Sequence, residues 1–96
     1  MPSYRVTISV GRLAPGVMPD SVLPRAAAAA AELVVVEASD LSVVAGSPRI
    51  VVRFAAEDAG QALRVGGHVV EQTGLIAEPL SWTVTARDQG RWYLVR

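Results

Sequence analysis

The sequence contains no cysteine, no lysine and no asparagine, and only five of its 96 residues are aromatic. Without cysteine, the chain can form neither disulfides nor thiolate metal sites. A single histidine provides no cluster of metal ligands, so we expect no metal and no cofactor. All nine basic residues are arginine and alanine is abundant, a bias that is typical of proteins from high-GC bacteria.

The sequence also has no excess of positive or negative charge, because nine basic residues balance nine acidic ones. A dedicated nucleic-acid binder needs a clustered basic surface, so we expect no nucleic-acid partner. The same balance argues against attachment to a membrane through a basic face. No apolar run approaches the length of a membrane span, and no secretory signal opens the sequence, so we expect a cytoplasmic protein.

The length predicts one domain over residues 1–96, and the order of its strands and helices predicts the α+β class. A chain of this size buries roughly 60–65% of the surface that its unfolded form exposes. Its core is therefore modest, and a second copy of the chain is a natural way to cover the rest.

Alternation with a period of two predicts strands, and apolar spacing of three to four residues predicts helices. The expected strands are 3–10, 41–45, 49–55, 80–86 and 91–95. The first helix is expected at about 21–36, although its last residues, Val34 to Val36, are β-branched and equally suit a strand. Glycine and proline mark a loop at 11–19 and a hairpin turn at 46–48.

The second helix has boundary signals at both ends. Asp58 followed by Gln61 resembles a capping box, and Gly74 stands where a left-handed cap is expected. Gly66 and Gly67 each cost about 1 kcal/mol relative to alanine, so we expect the helix backbone to approach the sheet closely there. The expected apolar stripe consists of Ala59, Leu63, Gly66 and Val70.

This element order predicts a ferredoxin-like βαββαβ two-layer sandwich with an additional C-terminal strand. In its core we expect Trp82, packed with Tyr4, Ile8, Phe54 and Leu63. The face opposite the helices should be polar, and it should carry Arg5, Thr7, Ser9, Arg53, Thr83 and Thr85.

The segment from Val10 to Met18, with Gly11, Arg12, Pro15 and Gly16, resembles the strand-to-helix loop of ACT-type regulatory domains. The resemblance implies a βαββαβ module that binds amino acids or similar small ligands at a dimer interface. It makes Gly11, Arg12, Pro15 and Gly16 the candidate ligand-binding residues. Glycines allow a close approach of backbone to ligand, and a following helix N-terminus offers free amides to a carboxylate.

Pro2 supports an alternative. Once Met1 is removed, Pro2 becomes an N-terminal secondary amine at the start of a strand. In this respect, and in Gly11-Arg12, the sequence resembles the tautomerases related to 4-oxalocrotonate tautomerase. That resemblance implies an enzyme with Pro2 as general base and an arginine that binds substrate.

The sparse chemistry favours a non-catalytic binding or interaction module, with a small molecule or a protein as its partner. We expect a homodimer in which 91–96 contributes contacts, because Trp92 and Tyr93 are typical interface anchors. No catalytic residue is assigned to this module. His68, the only histidine, is expected on the solvated face of the second helix.

Overall fold

The computed structural model describes residues 1–96, which form a five-stranded antiparallel sheet and two α-helices. The elements are β1 (Ser3–Leu13), α1 (Val22–Ala31), β2 (Val36–Val44), β3 (Ser47–Ala55), α2 (Ala59–Gly74), β4 (Ala77–Asp88) and β5 (Arg91–Leu94). The strands lie in the order β2-β3-β1-β4-β5. The predicted α+β class and the additional strand are confirmed, and that fifth strand makes the element order differ from a plain βαββαβ arrangement.

One face of the sheet packs against both helices. On β1, the central strand, buried residues alternate with partly exposed ones, so the side chains of one parity form the core. The buried apolar residues of the strands and of both helices belong to a single cluster of 17. Neither helix is long and apolar enough to cross a membrane.

Two element boundaries differ from the prediction. β1 continues to Leu13, so Gly11-Arg12 lies in a strand and not in a loop. α1 ends at Ala31, and Val36 already begins β2. Val36 therefore follows the preference of β-branched residues for extended backbone, whereas the Val34 N–H still donates a hydrogen bond to the Ala30 carbonyl at the end of α1.

The β2–β3 hairpin turn is also shorter than predicted. It consists of Ala45 and Gly46, with φ angles of 52° and 78°. These are the left-handed angles that a two-residue turn needs to match the twist of its strands. Ser47 and Pro48 belong to β3, and Pro48 lies one residue beyond the β1–β3 pairing, where a missing N–H is tolerated.

The start of α2 is confirmed and its predicted end is wrong. Asp58 Oδ1 accepts a hydrogen bond from the Gln61 N–H at 2.8 Å, and Gln61 Oε1 accepts one from the Glu57 N–H at 2.7 Å. Gly74 is not left-handed, because it lies inside the helix and Leu75 follows with a φ of −71°. The N–H groups of Leu75 and Ile76 donate hydrogen bonds to the carbonyl groups three residues earlier in the chain, so the end of the helix needs no glycine cap.

The buried stripe of α2 differs from the predicted one. Ala59 is exposed, whereas Leu63 and Val70 are partly buried at the flanks of the stripe. The predicted close approach of the helix backbone to the sheet is confirmed at Gly66, where an added Cβ would lie 2.8 Å from Val84 Cγ2. The same prediction is wrong for Gly67, which faces open space. The buried positions are Ala62, Val65, Gly66, Val69 and Thr73.

Trp82 lies on the helix face of β4, opposite Ile8, as predicted, but it is only partly buried. The Arg96 guanidinium carbon lies 4.2 Å from its ring centroid and covers one side. Leu80, expected on the same face, is exposed because a bulge removes it from the β1–β4 register. Of the other predicted core residues, Tyr4, Ile8 and Phe54 are buried and Leu63 is partly buried.

Candidate functional site

A groove of about 270 Å³ lies on the helix side of the sheet, between the end of β1, the start of α1 and the β2–β3 hairpin. We call it the apolar groove. Its walls are almost entirely hydrocarbon, so it suits a small and largely apolar group. It is lined by Val10, Gly11, Leu13, Pro19, Val22, Leu41, Pro48 and Ile50.

The structure brings one of the four predicted ligand-binding residues, Gly11, to the apolar groove. Arg12 is exposed near the end of β1, outside the lining. Pro15 and Gly16 form an exposed tight turn, in which Gly16 has a φ of 81°. This left-handed angle accounts for the glycine through backbone geometry alone. Ligand binding by these four residues stays a prediction.

Pro2 and Arg12, the pair that the tautomerase alternative requires, lie at opposite ends of β1. Ten residues of extended strand separate them, which corresponds to about 33 Å. Within one chain the two side chains therefore cannot contact the same small substrate. Pro2 is exposed, and its carbonyl oxygen accepts a hydrogen bond from the Ala56 N–H at 3.1 Å.

The opposite face of the sheet holds a cluster of arginines around a tryptophan. Trp92 of β5 reaches across this face, and its ring centroid lies 3.8 Å from the Arg5 guanidinium carbon and 5.5 Å from that of Arg53. Arg87 lies directly opposite Trp92 in the β4–β5 pairing, so both side chains share this face. We call these four residues the arginine–tryptophan cluster.

A groove of about 350 Å³ adjoins the cluster. Two arginines and one aspartate line its walls, and Asp40 Oδ1 accepts a hydrogen bond from the Leu41 N–H at 2.9 Å. This groove is therefore more polar than the apolar groove on the helix side. Its lining consists of Arg5, Ala38, Ser39, Asp40, Val51 and Arg53.

One carboxylate, that of Glu37, neutralises part of the cluster. Its Oε1 accepts hydrogen bonds from Ser3 Oγ at 2.8 Å and from Arg53 Nε at 2.9 Å. The Ser3 hydrogen bond has the largest effect and lowers the pKa of Glu37. Partial burial raises it, but the hydrogen bond and charge of Arg53 and the charge of Arg87 lower it further, so the pKa is lowered overall. Partial burial, followed by the charges of Arg53 and Arg87, lowers the pKa of Arg5, which forms no salt bridge.

Sequence reasoning assigned Trp92 to a dimer interface and missed its contact with Arg5. The signal was present in the C-terminal hairpin. Its two-residue turn at Gln89-Gly90 places Trp92 opposite Arg87, and hence on the polar face of the sheet. Counting the register outward from the turn would have located this residue.

His68 is not on a solvated face, contrary to the prediction. Its side chain is largely buried between the helices, and its Nε2 lies 3.5 Å from Glu32 Oε2 at the end of α1. The His68 side chain is largely shielded from solvent because α1 packs closely against α2. No group of three or more His, Asp or Glu side chains is arranged to hold a metal ion.

No protein-family model matches the sequence, and no curated protein matches it at a significant level.

Proposed function

We propose that this chain is a non-catalytic binding module that works as a homodimer and takes a small, largely apolar ligand in the apolar groove. One observation carries the proposal: the groove lies beside β2, an edge strand with exposed apolar side chains. A second copy that pairs with this strand would also cover one side of the groove. The resemblance of Val10 to Met18 to ACT-type domains supports the same kind of function, small-ligand regulation at a dimer interface.

We further propose that β1 to β4 and the two helices form a ferredoxin-like βαββαβ unit, to which β5 is added. The strand order β2-β3-β1-β4 and the placement of both helices on one face support this assignment. Such a unit has two edges, and β5 occupies the one beside β4. The edge of β2 remains for a partner.

β2 has the properties of an edge that is open to pairing. It is nine residues long and pairs only with β3. Its side chains Leu41 and Val43, on the helix side, are 52% and 67% exposed. Natural proteins usually protect edges with short strands, lysine or proline. β5 is four residues long, whereas β2 is nine residues long and contains no proline, and its register shift lies at its start, between Val36 and Ala38.

A two-fold pairing of β2 with itself has a favourable register. Residues directly opposite each other in an antiparallel pair have side chains on the same face of the sheet. In a two-fold pairing of one strand with its own copy, this is possible only if one residue lies opposite itself, on the two-fold axis. With Ser42 on the axis, Leu41 faces Val43 of the second copy, and Asp40 faces Val44. An axis at Asp40 would place two carboxylates opposite each other, which is destabilising. The Ser42 register therefore buries apolar side chains without opposing charges.

The interface can be tested by light scattering at micromolar concentration. The wild type should be a dimer. Val43→Lys should weaken association at least about tenfold, since it buries a charge in the interface between the two β2 strands. Val35→Lys is the matched control, because Val35 is equally exposed but precedes β2. Leu94→Lys tests the C-terminal strand. A monomeric wild type contradicts the homodimer, and dissociation by Leu94→Lys alone places the interface at 91–96.

Ligand binding can be tested with anilinonaphthalene sulfonate, a small apolar fluorescent anion, as the probe. Heteronuclear NMR during a titration should show saturable shifts of backbone amides around the groove, at Gly11, Leu41 and Ile50. Amides in the first turn of α2, such as that of Gly60, serve as the internal reference, because this turn lies near the N-terminal end of β1 and the groove lies at the other end. Shifts that spread evenly over the chain, or that map to another surface, contradict the proposed site.

A further inference from the structure

The arginine–tryptophan cluster concentrates positive charge on one face of a chain whose net charge is zero. Three of the nine arginines belong to it, and Glu37 is the one carboxylate in salt-bridge distance of any of them. The Arg53 Nε–H donates a hydrogen bond to the Glu37 carboxylate, and Arg5 forms no salt bridge. Overall charge does not draw anions to this protein, so any attraction at this face is local.

The geometry of Arg5 suits recognition of an oxyanion. Its guanidinium carbon lies over the Trp92 ring at 3.8 Å, a cation–π contact that fixes the position of the group. Guanidinium N–H groups lie in the plane of the group, so stacking on a ring leaves its edge available for hydrogen bonds. Arg5 and Arg53 both line the adjoining groove, which has room for a small molecule.

We propose that the arginine–tryptophan cluster binds an oxyanion, a carboxylate or phosphate group carried by a small molecule, between Arg5, Arg53 and Arg87. The driving force is the fork-like pairing of guanidinium with two oxygens of one anion. This site lies on the opposite face of the sheet from the apolar groove and does not depend on it. An anion here would also relieve the mutual repulsion of the three arginines, since burial first, and then the charges of Arg53 and Arg87, lower the pKa of Arg5.

Asp40 shapes which anions fit. Asp40 lies in the groove wall, on the same face of the sheet as Val51. An anionic group is repelled from that end and is held at the end formed by the arginines. The remainder of the ligand extends past Asp40, where a hydrogen-bond donor on the ligand is favoured.

The experiment titrates the full-length protein with inorganic phosphate and, in a separate series, with citrate, at constant ionic strength. The arginine Nε–H resonances are followed by heteronuclear NMR, and the Arg5 signal is assigned by its loss in Arg5→Gln. We expect a saturable shift of the Arg5 signal. A site for phosphoryl groups responds to phosphate at lower concentration than to citrate, and a site for carboxylates does the reverse.

Variants separate a specific site from general charge. Arg5→Gln should weaken binding at least about tenfold, as expected when one charge-assisted fork is lost. Arg25→Gln, an equal loss of charge on exposed α1, should leave the affinity unchanged. Arg87→Gln, an exposed position in the cluster, provides the same test if Arg5→Gln unfolds. A shift that does not saturate, or equal weakening by the cluster variants and by Arg25→Gln, overturns the proposal.

Discussion

Two adjacent glycines in α2 stand in opposite environments. An alanine Cβ at Gly66 would lie 2.8 Å from Val84 Cγ2 and 3.2 Å from the Trp82 ring, whereas Gly67 has open space around it. Gly66→Ala should therefore destabilise the fold by about 1–2 kcal/mol, because overpacking outweighs the gain in helix propensity. Gly67→Ala should stabilise it by up to about 1 kcal/mol. Urea denaturation of both variants checks the pair, and equal effects would contradict the close approach.

Glu37 links stability to pH. Its pKa in the folded chain is lowered by the Ser3 hydrogen bond and by Arg53 and Arg87. Its contribution is therefore complete above the ordinary glutamate pKa of about 4.3 and is lost as the pH falls through the lower folded value. Glu37→Gln should be less stable than the wild type near neutral pH, by under about 1 kcal/mol since the pair is partly exposed.

The difference between wild type and Glu37→Gln should shrink in acid, which denaturation at neutral and acidic pH measures. Glu71→Gln is the control, because Glu71 is exposed on α2 and forms no salt bridge. A Glu37→Gln penalty that persists unchanged in acid would show that the carboxylate charge contributes nothing.

At the scale of elements, the β2–β3 hairpin depends on a turn with an unfavourable residue. Ala45 has a φ of 52°, an angle that costs an ordinary side chain about 1 kcal/mol, and asparagine tolerates it better. Ala45→Asn should therefore stabilise the chain by about 0.5–1 kcal/mol. Gly46→Ala, at a φ of 78°, should destabilise it by a similar amount. Thermal unfolding gives both signs, and the opposite order would contradict the left-handed turn.

The sequence was informative about the elements where one face is buried, and less so at their ends. The alternation of apolar and polar residues in β1 correctly predicted which side chains are buried. In a strand with one buried face, a register shift of one residue would move every apolar side chain to the exposed face. The end of α1 was missed because Val34 to Val36 suit helix and strand almost equally, and the pairing of β2 with β3 decides between them. Leu80 was misplaced because a bulge depends on tertiary pairing, which alternation does not reveal.

The candidate sites were harder to predict than the elements. The polar face with Arg5 and Arg53 followed from alternation, but its contact with Trp92 needed the register of a distant hairpin. The apolar groove combines residues from β1, β2, β3 and the start of α1. A local motif such as Gly11 to Gly16 cannot reveal a surface that four separated segments build together.

At the scale of the whole molecule, the two edge strands of the sheet differ in length, because β2 has nine residues and β5 has four. β5 covers the outer side of β4, and the chain end continues this pairing through hydrogen bonds between Val84 and residues 95–96. It also supplies Trp92 to the face that carries Arg5. The C-terminal segment therefore belongs to the sheet of its own chain, whereas β2 is the edge at which we propose that a second copy pairs.

Deletion of residues 91–96 tests this division directly. The truncated chain should be less stable, because β4 loses its outer partner and Trp92 no longer covers Arg5. Its affinity for phosphate should fall, whereas its dimerisation through β2 should be unchanged. Light scattering and denaturation of the truncated and full-length chains, with Val43→Lys as the dissociated reference, measure both effects. If truncation yields a folded monomer while Val43→Lys remains a dimer, the C-terminal strand forms the interface and the proposed pairing of β2 is wrong.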